Sequence, residues 1–345
     1  MGSDEIHPKI PKELADVITK PLSMISELSW ESREVPADWK LANIVPIFKK
    51  GKKEDPGNYR PISLTLMPGT VMEKIILGSI EKHLKDNTVI AHSQHRFMRG
   101  KSCLSNLISF YDKVPHLADQ GKPVDIILLD FSKAFNTVSH RILLDKMSRT
   151  QLDKHIMWWV SNQLTGRAQR VTVNVVTSDW QPVTTGLLQG SDLVHDLFNF
   201  FINDLDAGLK GILSKFADDT KLEGAADSLE GSKALQRNLD RLEDWAMTNH
   251  MKLDKGKCHI LHLEWGNPGC SYRLGNEMLE SSATERDLGV LTSSKLNVTQ
   301  QCPSSQEGQQ CPGRGGHQAK HCQPVKGGDC PTLLYTGKAH LEYCV

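Results

Sequence analysis

Between residues 125 and 263 the chain switches between two hydrophobic periods, and each switch predicts an element. "DIILLDF" (125–131) is a continuous apolar run and reads as a buried strand ending at Asp130. "SKAFNTVSHRILLDKM" then sets Phe135, Val138, Ile142 and Leu143 on one helical face, and a second helix turns Ile156, Trp159, Val160 and Leu164 inward. In "RVTVNVV", Val171, Val173 and Val175 alternate with Thr172 and Asn174, the period of a half-exposed strand. A loop, "TTGLLQGSD", leads into a helix carrying Leu193, Leu197, Phe201 and Leu205 at spacings of four. "GILSKFADDTKLEG" (211–224) reads as a hairpin with Asp218 and Asp219 at its turn. "DSLEGSKALQRNLDRLEDWAMTNH" opens with a capping pair, Asp227 and Glu230, and presents Leu235, Leu239, Leu242 and Ala246; "KCHILHL" is the next strand. This order implies an α+β fold, with helices segregated on one face of a mostly antiparallel sheet.

Composition narrows the function classes. A chain of 345 residues with 39% hydrophobic content can bury a sizeable core, in one large or two modest domains. Lys+Arg and Asp+Glu balance at 41 each, so no global positive field announces a nucleic-acid partner, and any basic surface is local. The eight Cys form no CxxC pair, which fits a reduced, intracellular setting. The start, "MGSDEIHPKI", lacks the regions of a signal peptide, and no apolar run approaches membrane-spanning length. No targeting signal is seen, no membrane association is expected, and no residue pattern points to a particular protein partner.

Adjacent aspartates in a turn have an ordinary explanation, because Asp bonds local backbone and tolerates unusual dihedrals. Asp130 changes the picture. It ends a strand of the same expected sheet, roughly ninety residues before Asp218 and Asp219. If the two strands are neighbours, three carboxylates converge at one edge of that sheet. Like charges so close need compensation, which a divalent cation supplies. Mg²⁺ accepts a few hard oxygen ligands and shares the rest with water and substrate phosphates. Two such ions about 4 Å apart form a clamp for phosphoryl transfer.

In chain order "LDFSKAFN", "GLLQGS", "KFADDTKL", "MKLDKGKCHIL" and "RDLGVLTSSKLN" resemble motifs A to E of reverse transcriptases from long-interspersed-element retrotransposons without long terminal repeats. The nearest branch is the jockey-like and chicken-repeat group. Upstream, "VPADWKLANIVPIFKKGKKEDPGNYRPISL" and "SQHRFMRGKSCLSNL" are similar to the family's finger segments, so the resemblance covers roughly residues 6 to 301.

The resemblance implies an RNA-directed DNA polymerase with right-hand fingers and palm. It implies an N-terminal helical extension (1–35), fingers (36–115) and a palm (116–301), whose antiparallel sheet carries helices on one face. Its partners would be an RNA template, a DNA primer and deoxynucleoside triphosphates, and its cofactor two Mg²⁺ ions, with Mn²⁺ as an alternative. By family the setting would be nucleus and cytoplasm. Asp130 and Asp218 would bind the metals, with Asp219 assisting. Phe135 matches the gate whose ring would clash with a ribonucleotide 2′-hydroxyl, although the same ring also belongs to an apolar helix face. Gln189 and Gly190 match the loop that packs against incoming nucleotide and template. Lys257 matches a motif D lysine that would protonate leaving pyrophosphate; the bland alternative is a solvated lysine. Lys50, within the run Lys49, Lys50, Lys52 and Lys53, and Arg60 match a hairpin that folds over the triphosphate.

Departures from the pattern cluster around the template and nucleotide pocket. Asn136 replaces the Asp that usually ends motif A, and Leu187–Leu188 replace Val-Pro in motif B. "SDLVHDLF" replaces a Val-Leu-Gly-Pro stretch and adds His195 and Asp196, while Arg96 stands where the finger motif has Gly. From 302 onward no period is legible, and the segment reads as an irregular, misframed tail (302–345) in which the thumb is missing or scrambled. The alternative to an active polymerase is therefore a catalytically inactive retroelement remnant with weak nucleic-acid binding. A two-metal phosphohydrolase would use the same aspartates, but it has no need of a nucleotide gate or a triphosphate hairpin.

Overall fold

The computed structural model describes residues 2, 4, 6, 7, 9–118, 122–174, 176–263 and 266–294, with 111–118 as backbone alone. The expected irregular tail, 302–345, lies outside the described residues, as does Val175. Two helices, α1 (Lys9–Glu13) and α2 (Ala15–Ser32), precede the hairpin of β1 (Leu41–Phe48) and β2 (Tyr59–Leu64). These strands pair antiparallel from Asn43↔Leu64 to Phe48↔Tyr59, so the basic run 49–53 falls at the exposed hairpin tip. Helix α3 (Met67–Asp86) turns Met72, Ile76, Ile80 and Leu84 into the core, and Glu73 shares that buried face. Helix α4 (Cys103–Ala118) leads to a second sheet.

That sheet begins with β3 (Val124–Leu129), the strand expected from the apolar run. The single helix expected next is two: α5 (Ala134–Thr137) and α6 (His140–Ser148). The break has a hydrogen-bonding cause. The Phe135 and Val138 carbonyls accept from Leu187 N–H (2.7 Å) and Gly186 N–H (2.8 Å), so they serve the motif B loop instead of a continuing helix. Helix α7 (Lys154–Leu164), N-capped by Asp153, buries Ile156, Trp159, Val160 and Leu164 as expected.

Next, β4 (Arg167–Val173) carries β5 (Val176–Thr177) and β6 (Gln181–Val183) and joins β1 in parallel, Leu41↔Ala168 to Ile44↔Val171. Its valines correct the expected polarity. Val171 and Val173 are 42% and 49% exposed, because β-branched residues suit a pleated edge whether or not it is covered. Helix α8 (Val194–Ile202) is buried almost all round, and Leu193, Leu197, Phe201 and Leu205 are all inside.

The hairpin of β7 (Ile212–Phe216) and β8 (Asp219–Ala225) forms as expected, followed by α9 (Leu229–Thr248). The cap of α9 is Ser228, whose hydroxyl accepts from Gly231 N–H at 3.1 Å, and not the Asp227/Glu230 pair; Glu230 instead pairs with Arg237 on the exposed side. After β9 (His259–Leu263) come β10 (Arg273–Leu274), β11 (Glu277–Met278), β12 (Glu280–Ser282), β13 (Thr284–Asp287) and β14 (Val290–Ser293).

The second sheet has the order β12-β9-β3-β8-β7, antiparallel except for the β12–β9 pair. On one face Ile127, Leu129, Leu222 and Ile260 join the core shared with α6 to α9. On the other, Val124, Ile126, Leu261 and Leu263 pack with Phe110 of α4. Cover on both faces explains why β3 reads as a continuous apolar run and not as an alternating one. Each such buried side chain contributes roughly 1.5–3 kcal/mol against the entropy of folding. Among the described residues no helix is long and apolar enough to cross a membrane.

Candidate functional site

Strand register brings the predicted carboxylates toward one end of the second sheet. The last β3–β8 pair is Leu129↔Thr220, so one step further Asp130 comes level with Asp219. Phe216 pairs with Asp219, leaving Ala217 and Asp218 as a two-residue turn. Ala217 has φ 58° and Asp218 is not among the residues with positive φ, the pattern of a type II′ turn, whose first position favours Gly. Buried Ala217 tolerates it because Gln94 bonds both its polar groups: Ala217 N–H donates to Gln94 Oε1 (3.0 Å), and Gln94 Nε2 donates to the Ala217 carbonyl (3.4 Å). Residues 93–95 run beside β7 to make this possible, joined by Lys215 N–H to Ser93 O (2.8 Å) and His95 N–H to Lys215 O (3.0 Å).

The carboxylates are electrostatically coupled. Burial, then the charges of Asp218 and Asp130, pushes the Asp219 carboxyl up to about 7, against the pull of Arg96. Asp219 stays open to solvent on one side, so water screens part of that shift. Burial also raises Asp218, with Asp130 adding to the effect; its own backbone N–H, Arg96 and Arg60 oppose it. The Asp130 backbone is fixed by Asp254 N–H on its carbonyl (2.8 Å). Lys257 Nζ stands 3.5 Å from Asp130 Oδ2 and 2.9 Å from Asp254 Oδ2, and the Asp254 bond is the main cause that holds its ammonium above the usual lysine range.

Among the described residues no three His, Cys, Asp or Glu side chains stand close enough, as they lie, to hold a metal ion. The donor chemistry nevertheless fits a hard divalent cation. Asp218 and Asp219 are neighbouring carboxylates held uncharged longer than usual by burial, and both feel a third carboxylate.

The residues expected to engage nucleotide divide by position. Lys50 is exposed at the hairpin tip; Arg60, on β2, sends its charge as far as Asp218. The Gln189 carbonyl accepts from Ser63 N–H of β2 at 2.6 Å. Gly190 has φ +116°, and a Cβ there would meet the Ser63 carbonyl oxygen at 2.5 Å, so only Gly fits this docking of motif B on the β1–β2 hairpin. Phe135 stacks on Phe198 with ring centroids 4.2 Å apart, half-buried beside the core.

Two residues that fix this geometry escaped sequence reasoning. Gln94 gives no signal in a loop. Glu73 does give one, a charge in phase with Ile76, Ile80 and Leu84 on an apolar stripe. It is 1% exposed, and its carboxylate accepts from Ser191 Oγ (2.8 Å), Asp192 N–H (3.2 Å) and Gln163 Nε2 (2.7 Å).

Residues 48–303 match the family model described as reverse transcriptase (RNA-dependent DNA polymerase). The chain belongs to that family. It is 25% identical over 321 residues to the RNA-directed DNA polymerase from mobile element jockey of Drosophila melanogaster, covering 89% of this chain and 34% of that protein. It is 27% identical over 258 residues to the probable RNA-directed DNA polymerase from transposon X-element of the same organism, covering 72% and 28%. The chain thus spans about a third of the length of these curated relatives. Apo telomerase from Candida tropicalis, truncated from the C-terminal domain, has a similar fold, with a TM-score of 0.53 at 10% identity over 79% of this chain and 59% of that one. The fold is therefore that of a reverse transcriptase, with fingers and palm. The family is one of nucleotidyltransferases that use divalent metals.

Proposed function

We propose that this reverse transcriptase domain, of a jockey-like retrotransposon, extends a DNA primer on an RNA template from deoxynucleoside triphosphates. Its fingers would be residues 36–115 and its palm 116–301. The observation that carries the reading is the register Leu129↔Thr220, which draws Asp130 level with the Asp218–Asp219 turn. Asp130, Asp218 and Asp219 would hold two Mg²⁺ ions, which when bound supply charge stabilisation for the attacking and leaving oxygens. The primer 3′-hydroxyl gives up its proton to solvent, its oxygen forms a bond to the α-phosphorus, the bond from that phosphorus to the bridging β-phosphate oxygen breaks, and pyrophosphate leaves. Lys257 delivers a proton to that leaving group. Arg60 and Lys50 engage the triphosphate, Gln189 and Gly190 line the nucleotide and template side, and Phe135 walls off the sugar 2′ position.

The test is primer extension on an RNA template with Mg²⁺ and deoxynucleotides, beside template–primer binding at several salt concentrations. Binding should weaken steeply with salt, because the Lys49 to Lys53 run contacts phosphates and releases counterions. Extension that disappears in Asp218→Ala while binding persists is the expected result. Extension that survives Asp218→Ala would remove the assignment of the ligands, and a chain that binds but never extends would support the inactive-remnant reading.

A further inference from the structure

Arg96, a departure from the finger pattern, is held as a fixed charge beside the carboxylates. Its N–H donates to Gln94 Oε1 (3.0 Å), the atom that also holds Ala217, and its carbonyl accepts from Asn199 Nδ2 (3.3 Å). Its guanidinium lies 5.0 Å from the Phe216 ring centroid and 4.8 Å from that of Phe97. Phe97 is stacked in turn on His195, another departure, at 3.8 Å. Phe216 is the residue that pairs with Asp219 across the hairpin. Two aromatic faces and a pinned backbone thus fix where the charge sits, and among the described residues the guanidinium makes no ion pair. Its field nonetheless reaches both Asp218 and Asp219.

We propose that Arg96 is a tethered cation of the metal site, one that disfavours free divalent ions at Asp218 and Asp219 and favours ions that arrive on a triphosphate. The inference rests on the reading of these aspartates as ligands, and it follows from the sign of the charges. A bare divalent ion is repelled by the guanidinium. A deoxynucleoside triphosphate carrying one divalent ion keeps net negative charge and is attracted. The same residue therefore moves the two affinities in opposite directions, and a single unit charge beside a partly solvated cleft is worth on the order of tenfold in each. A Gly, as in the family pattern, exerts neither effect.

The experiment is Mn²⁺ binding followed by electron paramagnetic resonance on the full chain, with Mn²⁺ alone and with Mn²⁺ plus dATP. Arg96→Met keeps the stem over the rings and removes the charge, and Arg96→Lys keeps the charge. Arg96→Gln stands in if the Met variant fails to fold. The neutral variant should bind Mn²⁺ alone about tenfold more tightly and Mn²⁺–dATP more weakly than the unmodified chain, with Arg96→Lys near the unmodified values. Equal Mn²⁺ affinities in the neutral variant and the unmodified chain, with binding lost in Asp218→Asn/Asp219→Asn, would overturn the role of Arg96 and leave the ligand reading standing. Mn²⁺ binding that is undisturbed in the double aspartate variant would overturn the ligand reading and this inference with it.

Discussion

Gln94 bonds Ala217 twice, accepting from its N–H at 3.0 Å and donating to its carbonyl at 3.4 Å. Ala217 precedes Asp218 and has the left-handed φ of 58° that turns the hairpin. One side chain from the segment beside β7 thus sets the conformation on which the direction of the aspartates depends. Gln94→Leu keeps the bulk and removes both bonds, and it also strips the acceptor from Arg96 N–H. Leaving buried N–H groups unpaired costs about 1–3 kcal/mol each, so the urea midpoint should fall accordingly. An unchanged midpoint would mean that the turn holds itself.

Gly190→Ala should be costly out of proportion to its size. The new Cβ meets the Ser63 carbonyl oxygen at 2.5 Å, and φ +116° is unsuited to a side chain. The loop has to lift from β2, breaking the 2.6 Å bond from Ser63 N–H to the Gln189 carbonyl. Backbone strain of this kind costs about 1–3 kcal/mol. Hydrogen exchange at the Ser63 amide should accelerate in the variant, and a protected Ser63 amide would show that the loop can absorb the methyl in place.

Phe135 carries two roles that one substitution can separate. Its ring stacks on Phe198 at 4.2 Å, so Phe135→Val should lower stability by about 1–3 kcal/mol for the lost ring packing. If the ring also walls off the sugar, the same variant accepts ribonucleotides more readily relative to deoxyribonucleotides. Extension with each sugar under single-nucleotide conditions is the measurement. Lost stability with unchanged sugar preference would assign Phe135 to packing alone.

Periodicity made most of the fold legible: β3, α7, α8, α9 and the β7–β8 hairpin stand where apolar spacing put them. What it missed depends on partners distant in sequence. The helix break after Thr137 is caused by Gly186 and Leu187 taking its carbonyls, and no local pattern encodes that. Val171 and Val173 alternate as a strand should, but alternation does not say which face is covered. The aspartates were legible as a motif, whereas Gln94, which fixes their turn, is an ordinary polar residue until the hairpin is beside it.

Asp196 predicts a pH dependence. It is buried on α8, and burial, with the charge of Glu81 adding, pushes its carboxyl up to about 7. Its unfolded value is about 4, so between about 4 and 7 the native state binds more protons than the unfolded state. Stability therefore falls as pH rises through that window and levels off above it. The full shift corresponds to up to roughly 4 kcal/mol. Asp196→Asn should flatten this slope and be the more stable protein at pH 8, read from urea midpoints across pH. A slope that persists in the Asn variant would place its origin in other carboxyls.

Glu73 gives the sharpest test of how the motif B loop is held. Its carboxylate receives Ser191 Oγ at 2.8 Å and Asp192 N–H at 3.2 Å, and it also balances the charge of buried Arg167. Burial raises the Glu73 carboxyl and lowers Arg167 to about 10, each partly offset by the other. Arg167 Nη1 donates to the Gln163 carbonyl (3.2 Å), while its Nε and Nη2 are buried without protein partners among the described residues. Arg167 borders a cavity of about 20 Å³ shared with Glu73 and Ser191, room for a bridging water. Glu73→Gln can still accept from Ser191 and Asp192 if Gln163 turns its amide to offer oxygen, so the loop bonds survive. What it cannot supply is the charge opposite Arg167, and an uncompensated buried charge costs about 3–5 kcal/mol. Arg167→Met alone leaves Glu73 in the same position. The double variant Glu73→Gln/Arg167→Met removes both charges together and should cost well under the sum of the singles in urea unfolding, with a coupling of about 0.5–3 kcal/mol. Strict additivity would show that Glu73 serves Ser191 and Asp192 alone, and that Arg167 draws its compensation from water.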